Sequence, residues 1–224
     1  LIGIKGLEFT RNHNIICGID EAGRGSLLGP IIVAGVCVTK KSISEMVENG
    51  IKDSKLLSPK KRQVLFGHVI NVAESICVCR INIEDIDFHV FRNNLNLLEA
   101  EAMAITIRNM KSDKTYVDSC DVNPSRYQRT IKSFLKQNNT NLVSMHHADR
   151  LSVVVSGASI IAKVIRDSEL SKIRIKYGDV GSGYPSDKKT IKFVKEWFRQ
   201  KNEIPPFARK SWKPAQMIVS CTAL

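Results

Sequence analysis

A chain of 224 residues, 43% of them hydrophobic, can bury a full core, so no disulfide or metal staple is needed and one large domain, or a domain with an appendage, is expected. No charged leader precedes a short apolar core and no apolar run reaches about 18 residues, so secretion and membrane spanning lack support and a cytoplasmic location is expected. The 34 Lys and Arg against 22 Asp and Glu leave +12, of which +8 lies between Leu151 and the C-terminus (14 basic, 6 acidic), and such an excess favours a polyanionic partner.

In chain order, "NIICGID" (14–20), "PIIVAGVCVT" (30–39) and "ESICVCRINI" (74–83) are short, apolar and β-rich, and read as three strands of a meander. Between the second and third, "SPKKRQVLFGHVINVA" (58–73) opens with Ser58 as N-cap and Pro59 at the first helical position, then carries apolar residues at helical spacing. "NLNLLEAEAMAITIRNM" (94–110) is a second helix. "KTYVDSC" (114–120) and "TNLVSMHHAD" (140–149) read as strands separated by the helical "NPSRYQRTIKSFLKQ" (123–137), a βαβ unit that favours parallel pairing. "SGASIIAKVIRDSELSKIRIKYG" (156–178) is a long amphipathic helix ended by Gly178. After it come the turn "GSGYPSD" (181–187), the helix "DKKTIKFVKEWFRQ" (187–200) and a Pro-rich tail around "IPPFARKSWKP" (204–214). The sum is an α/β fold: a five-stranded mixed sheet flanked by helices, with a basic helical C-terminal region. The six cysteines show no C-x-x-C spacing and mostly sit in apolar runs, as free thiols do.

The stretch "ICGIDEAGRGSLLGP" (16–30) sets Asp20 and Glu21 against a turn with four glycines in twelve residues. A dinucleotide loop would place a helix N-terminus here, whereas Pro30 and a β-branched run follow, and two carboxylates would repel a bare pyrophosphate. A divalent cation reverses that sign, because carboxylates hold Mg²⁺ and Mg²⁺ holds phosphate oxygens. Neighbouring strand residues face opposite ways, so Asp20 and Glu21 need the glycine turn to serve one ion. Asp118 and Asp149 stand at two further strand ends, and strand ends are where ligands collect in an open α/β sheet. A strand-end Asp is also a common turn former, and for Asp149, just before a helix, an N-cap role is at least as good a reading. His146 and His147 are soft donors ill suited to Mg²⁺ and face opposite ways, so they read as incidental. Asp85, Asp87, Glu99 and Glu101 read as surface charges.

With those residues in place, "GIDEAGRG", "DSK" (53–55), "YVDS" (116–119), "HHAD" (146–149), "SGASIIAKVIRD" (156–167) and "GSGYPSD" occur in the order found in ribonuclease HII, the type 2 RNase H family, and the chain resembles that family from residue 16 to about 212. "GSGYPSD" with "PPFARKSW" looks most like the archaeal branch. The resemblance implies an RNase H-like fold, with residues 1–178 as catalytic domain and 179–224 as a helical substrate-binding region packed on it. It implies an endoribonuclease that hydrolyses RNA in RNA·DNA hybrids, or cuts 5′ of ribonucleotides embedded in duplex DNA, leaving 5′-phosphate and 3′-hydroxyl ends. The family's four acidic metal ligands map onto Asp20, Glu21, Asp118 and Asp149, with two Mg²⁺ or Mn²⁺ ions expected. Gly23, Arg24 and Gly25 are expected at the ribose, where the 2′-hydroxyl distinguishes RNA from DNA, with Tyr184 on the same nucleotide and Ser54 and Lys55 at a nearby phosphate. Arg209, Lys210 and Trp212 are expected to hold the duplex backbone electrostatically.

Several positions depart from the family pattern. Ser26 stands where proline is usual after "GRG", Leu56 where a second lysine is common, His147 where a lysine often precedes "AD", and "SGAS" where "SAAS" is common. The C-terminal "QMIVSCTA" lacks the paired aromatics of a sliding-clamp peptide, so a clamp partner is not expected and a monomer is. Two rivals stand beside this reading: an RNase H-like DNA nuclease or strand-transfer enzyme, which would not need a 2′-hydroxyl sensor, and a non-catalytic nucleic-acid-binding protein, which would leave four strand-end acids without purpose.

Overall fold

In the computed structural model, which describes residues 2–4, 14–51, 57–135 and 141–222, the apolar runs on both sides of the glycine turn are extended and paired. Among the described residues, six strands form one sheet: β1 (Ile2–Ile4), β2 (Ile15–Ala22), β3 (Ile31–Thr39), β4 (Ser75–Ile81), β5 (Lys114–Asp118) and β6 (Leu142–Met145). Their order is β1-β4-β3-β2-β5-β6. The five expected strands are β2 to β6, and the three-residue β1 extends the sheet by pairing antiparallel with β4 at its edge. β2, β3 and β4 lie side by side as a meander would, β2 antiparallel to β3, while β2·β5 and β5·β6 are parallel. The sheet is therefore mixed, as expected.

Nine helices accompany it among the described residues: α1 (Lys40–Glu48), α2 (Pro59–Val72), α3 (Ile83–Phe91), α4 (Leu95–Arg108), α5 (Pro124–Phe134), α6 (Ala148–Leu151), α7 (Val153–Tyr177), α8 (Lys188–Lys201) and α9 (Lys213–Thr222). Local chemistry sets their ends. The Ser58 hydroxyl accepts from the Lys61 amide with Pro59 in the first turn of α2, and the Asp187 carboxylate accepts from the Lys189 amide at the start of α8. α7 stops where Gly178 takes a φ of +85°, a conformation that costs glycine nothing. Four helices lie outside the expected set: α1, α3, the one-turn α6, and α9, which follows the Pro-rich tail.

Two glycines decide how helices pack on the sheet. A Cβ on Gly18 of β2 would come within 2.4 Å of the Val154 and Val155 backbone, so α7 lies directly on that strand. A Cβ on Gly35 of β3 would meet Thr106 and Met110 at 2.7 and 2.5 Å. Gly35 pairs with Ile19, one residue beyond Gly18, so by strand alternation α7 and α4 cover opposite faces of the sheet.

The chain divides into two compact units whose segments interleave. The first comprises residues 1–22, 32–80 and 96–164 and contains the sheet with the start of α7. The second comprises residues 23–31, 81–95 and 165–224, so it is not a C-terminal segment alone: it takes the glycine turn and α3 as well. Its own core joins Leu27, Leu28, Leu170, Val194, Phe198 and Phe207, with Tyr177 stacked on Phe207 at 4.6 Å between ring centroids. Asp87 of α3 is not the plain surface charge expected, since its carboxylate accepts from the Lys210 and Ser211 amides and the Ser211 hydroxyl. All six cysteines are free, as anticipated. No helix among the described residues is long and apolar enough to cross a membrane.

Candidate active site

The acids of the first unit follow from the strand pattern. Asp20 and Glu21 are the sixth and seventh residues of β2, and Asp118 is the last of β5, its parallel neighbour. Pairing runs through Ile19 and Val117, so Asp20 and Asp118 are the next residues along two adjoining strands. Alternation turns Asp20, like Gly18, towards α7, and turns Glu21 towards the face that α4 covers.

Asp20 is buried at 4% exposure. Its own Oδ1 accepts from the Glu21 amide at 2.7 Å, and it is held from α7 by the Ser159 hydroxyl and the charge of Lys163, which itself donates to Ser159 at 2.8 Å. Those partners do not compensate it. Burial, and then the negative charge of Asp118, push its pKa up to about 7. Asp118 Oδ1 accepts from the Ala148 amide at 2.8 Å, which ties the end of β5 to the start of α6.

Asp149 is buried at 1% exposure, but not at a strand end. β6 stops at Met145, because His147 adopts a left-handed conformation (φ 54°, ψ 37°) and the chain turns into α6, putting Asp149 in that helix's first turn. His147 is the capping residue, so the N-cap reading of Asp149 is replaced. On the face opposite Asp20, half-buried Glu21 acts together with buried Tyr127 and fully buried Glu99: burial, then the charges of Cys120, Glu21 and Glu99, raise the Tyr127 phenol well above its ordinary range. Glu99 is thus no surface charge. The sequence held the signal, since Leu95 and Met103 lie four residues either side of it on the same helical stripe.

Asp20 and Asp118, next to each other on adjoining strands, are oxygen donors suited to a hard divalent cation rather than to zinc or copper, whereas alternation turns Glu21 to the other face. The charge conflict between Asp20 and Asp118 is one that such a cation relieves, so the residues fit a divalent metal. Among the described residues no three Asp, Glu, His or Cys side chains are already gathered into a cage.

The second unit holds the glycine turn. Gly23 has a φ of +88°, and a Cβ there would lie 2.8 Å from the Pro30 carbonyl, so only glycine fits. The Ser26 amide donates to the Gly23 carbonyl at 3.1 Å, and the Leu27 and Leu28 amides both donate to the Gly183 carbonyl. That joins the "GRG" turn to the "GSGY" turn. Arg209 corrects an expectation: it is fully buried, its guanidinium donating to the carbonyls of Gly23 (2.7 Å), Arg24 (2.8 Å) and Gly29 (3.0 and 3.1 Å), with Trp212 4.7 Å from its central carbon. A guanidinium spent on buried carbonyls cannot reach a duplex phosphate, so Arg209 brackets the turn instead. Lys210 is exposed. Tyr184 is 36% exposed, with the guanidinium of buried Arg166 lying 4.6 Å from its ring centroid. Arg166 is a residue that sequence reasoning missed, although it lies within the motif "SGASIIAKVIRD". Ser54 and Lys55 lie outside the described residues.

Comparison with known proteins bears on this arrangement. The family model described as Ribonuclease HII matches residues 17–215. A ribonuclease HII of Cenarchaeum symbiosum is 43% identical over 204 residues, covering 91% of this chain and 98% of its own. The crystal structure of ribonuclease H2 from Pyrococcus horikoshii is similar with a TM-score of 0.86 at 37% identity, covering 93% of this chain and 99% of that one. The Archaeoglobus fulgidus RNase HII, solved as a PCNA complex, matches with a TM-score of 0.81 at 36% identity, over 89% of this chain and 95% of that one. By the extent of these matches the chain belongs to the ribonuclease HII family, metal-dependent endoribonucleases that act on RNA–DNA hybrids.

Proposed function

We propose that the chain cuts on the 5′ side of ribonucleotides embedded in duplex DNA as well as within RNA·DNA hybrids, leaving 5′-phosphate and 3′-hydroxyl ends. The observation that carries the reading is the conflict at the ends of β2 and β5, where buried Asp20 feels the charge of Asp118 and lacks enough local cation to offset it. Asp20, Glu21, Asp118 and Asp149 would hold two divalent ions, Mg²⁺ or Mn²⁺. When bound, these supply the Lewis acidity that lowers the pKa of an attacking water and steadies the leaving 3′ oxygen.

The chain's own residues do the rest. Ser159 and Lys163 orient the Asp20 carboxylate from α7, and the Ala148 amide orients that of Asp118. A single residue, Ala22, separates Glu21 from Gly23, so in sequence the turn that would meet the ribose follows directly on a metal-holding acid. Gly23 and Gly25 let the backbone approach a sugar without a Cβ between, Gly25 having no heavy atom within 4 Å of a built Cβ. Arg24 is their partner in the turn, exposed Tyr184 contacts the same nucleotide, and Lys210 meets backbone phosphate, with Ser54 and Lys55 at another phosphate.

Incubating the protein with a duplex that carries one ribonucleotide, beside an all-DNA control, tests this in Mg²⁺ or Mn²⁺ and in EDTA. Cleavage 5′ of the ribonucleotide, only with metal and only in the first duplex, is expected. Equal cutting of both duplexes would move the reading to a DNA nuclease, and binding without cutting would move it to a non-catalytic binder. The PCNA complex of the Archaeoglobus fulgidus relative makes a clamp the natural partner to try in pull-down, although "QMIVSCTA" has the glutamine of a clamp peptide without its aromatics.

A further inference from the structure

We infer that Ser26 and Arg166 are positioning residues that lock the "GRG" turn to Tyr184, so that backbone and phenol meet one nucleotide as a unit. This rests on the proposed roles of the turn and of Tyr184 as nucleotide contacts. Ser26 is fully buried and Arg166 is 6% exposed. Arg166 Nη2 divides its two protons between the Ser26 hydroxyl and the Ser182 carbonyl, each at 2.8 Å. Having accepted from Arg166, the Ser26 hydroxyl has one proton to give, and the carbonyls of Leu28 and Gly183 both lie 2.9 Å away. The same guanidinium sits over the Tyr184 ring.

The stem of Arg166 is part of the device. A Cβ on Gly23 would find Arg166 Cγ at 3.4 Å, and a Cβ on Gly183 would find Nη2 at 2.9 Å, so both turns close down on one side chain. Ser26 occupies the position where the family usually has proline. A proline ring would stiffen the turn through φ alone and would remove the amide that here donates to Gly23. In this chain a hydroxyl does the stiffening, and in doing so it transmits the position of the turn to the cation beneath Tyr184. Lysine could supply the charge of Arg166, but not the planar group that serves Ser26 and Ser182 from Nη2, Asp167 from Nη1 and the Tyr184 ring together.

The test is a double-mutant cycle on the single-ribonucleotide duplex, with kcat and KM measured for Ser26→Ala, Arg166→Lys, Tyr184→Ala and the pairwise combinations. Ser26→Ala and Arg166→Lys are each expected to lower kcat by about fivefold or more with KM within about twofold. Adding either to Tyr184→Ala should cost less than about twofold further, because coupled residues fail together. Effects that multiply independently, or a lowered melting temperature with unchanged kcat, would overturn the coupling. A slow Tyr184→Ala beside full-speed Ser26→Ala and Arg166→Lys sinks this link alone, whereas a full-speed Tyr184→Ala sinks the underlying role of Tyr184 and the link with it. Ser26→Ala removes a single oxygen and carries the test if Arg166→Lys fails to fold.

Discussion

Replacing Asp20 by Asn should stabilise the metal-free protein while destroying its activity. In the folded chain Asp20 titrates near 7, against an ordinary value of 3.8, first because it is buried and then because Asp118 stands beside it. Between those two values the unfolded chain has released its proton and the folded chain has kept it, so stability falls as pH rises and the whole penalty is present above pH 7. About three pKa units correspond to a ceiling of roughly 4 kcal/mol. For a chain of this length that is at most about 8 to 16 °C in melting temperature, taking 2 to 4 °C per kcal/mol. Asn keeps the shape, and the attraction of Lys163 for the ionised form is already contained in the value near 7. The expected rise in EDTA is at least about 3 °C at pH 8, shrinking as pH falls and vanishing only below about pH 4, where Asp20 is neutral in both the folded and the unfolded chain. Thermal unfolding of both proteins across that pH range measures it. Adding Mg²⁺ or Mn²⁺ at pH 8 should raise the wild type and barely move the variant. A variant less stable than wild type at pH 8, or a difference independent of pH, would refute the account of Asp20 as a buried carboxylate short of positive charge.

Asp118→Asn should lower kcat by about a thousandfold or more while leaving affinity for the hybrid within a fewfold in a binding titration, since metal charge and not duplex contact is removed. Gly18→Ala should cost about 3 kcal/mol or more in chemical denaturation, because its Cβ meets Val154 and Val155 backbone at 2.4 Å and neither strand nor helix can retreat alone. Arg209→Lys should cost about 3 kcal/mol by leaving buried carbonyls unserved, without changing the salt dependence of duplex binding. Lys210→Gln should do the reverse, holding the melting temperature and lowering the slope of log affinity against log salt by roughly one.

The sequence reading and the structure part company at identifiable places. Capping and periodicity were local, so α2 and α8 and the end of α7 at Gly178 were legible from Ser58, Asp187 and the glycine itself. β6 was drawn too long because residues 146–149 carry no breaker, and only the left-handed turn at His147 ends it. Glu99 and Asp87 were taken for solvated charges, though nothing in a side chain's type says that helix packing will enclose one or that the amides of Lys210 and Ser211 will arrive at the other.

By itself the sequence determined the mixed α/β pattern, the parallel βαβ unit and the place of the glycine turn, because each depends on residue type, spacing or the order of motifs along the chain. Tertiary structure alone decided that Asp20 is buried against the charge of Asp118, that Asp149 sits on a helical turn, that Arg209 is a bracket and that Ser26 and Arg166 bind two turns together. Those facts join residues up to 186 positions apart, and burial and pairing at such separations are set by which surfaces meet, which no local pattern contains.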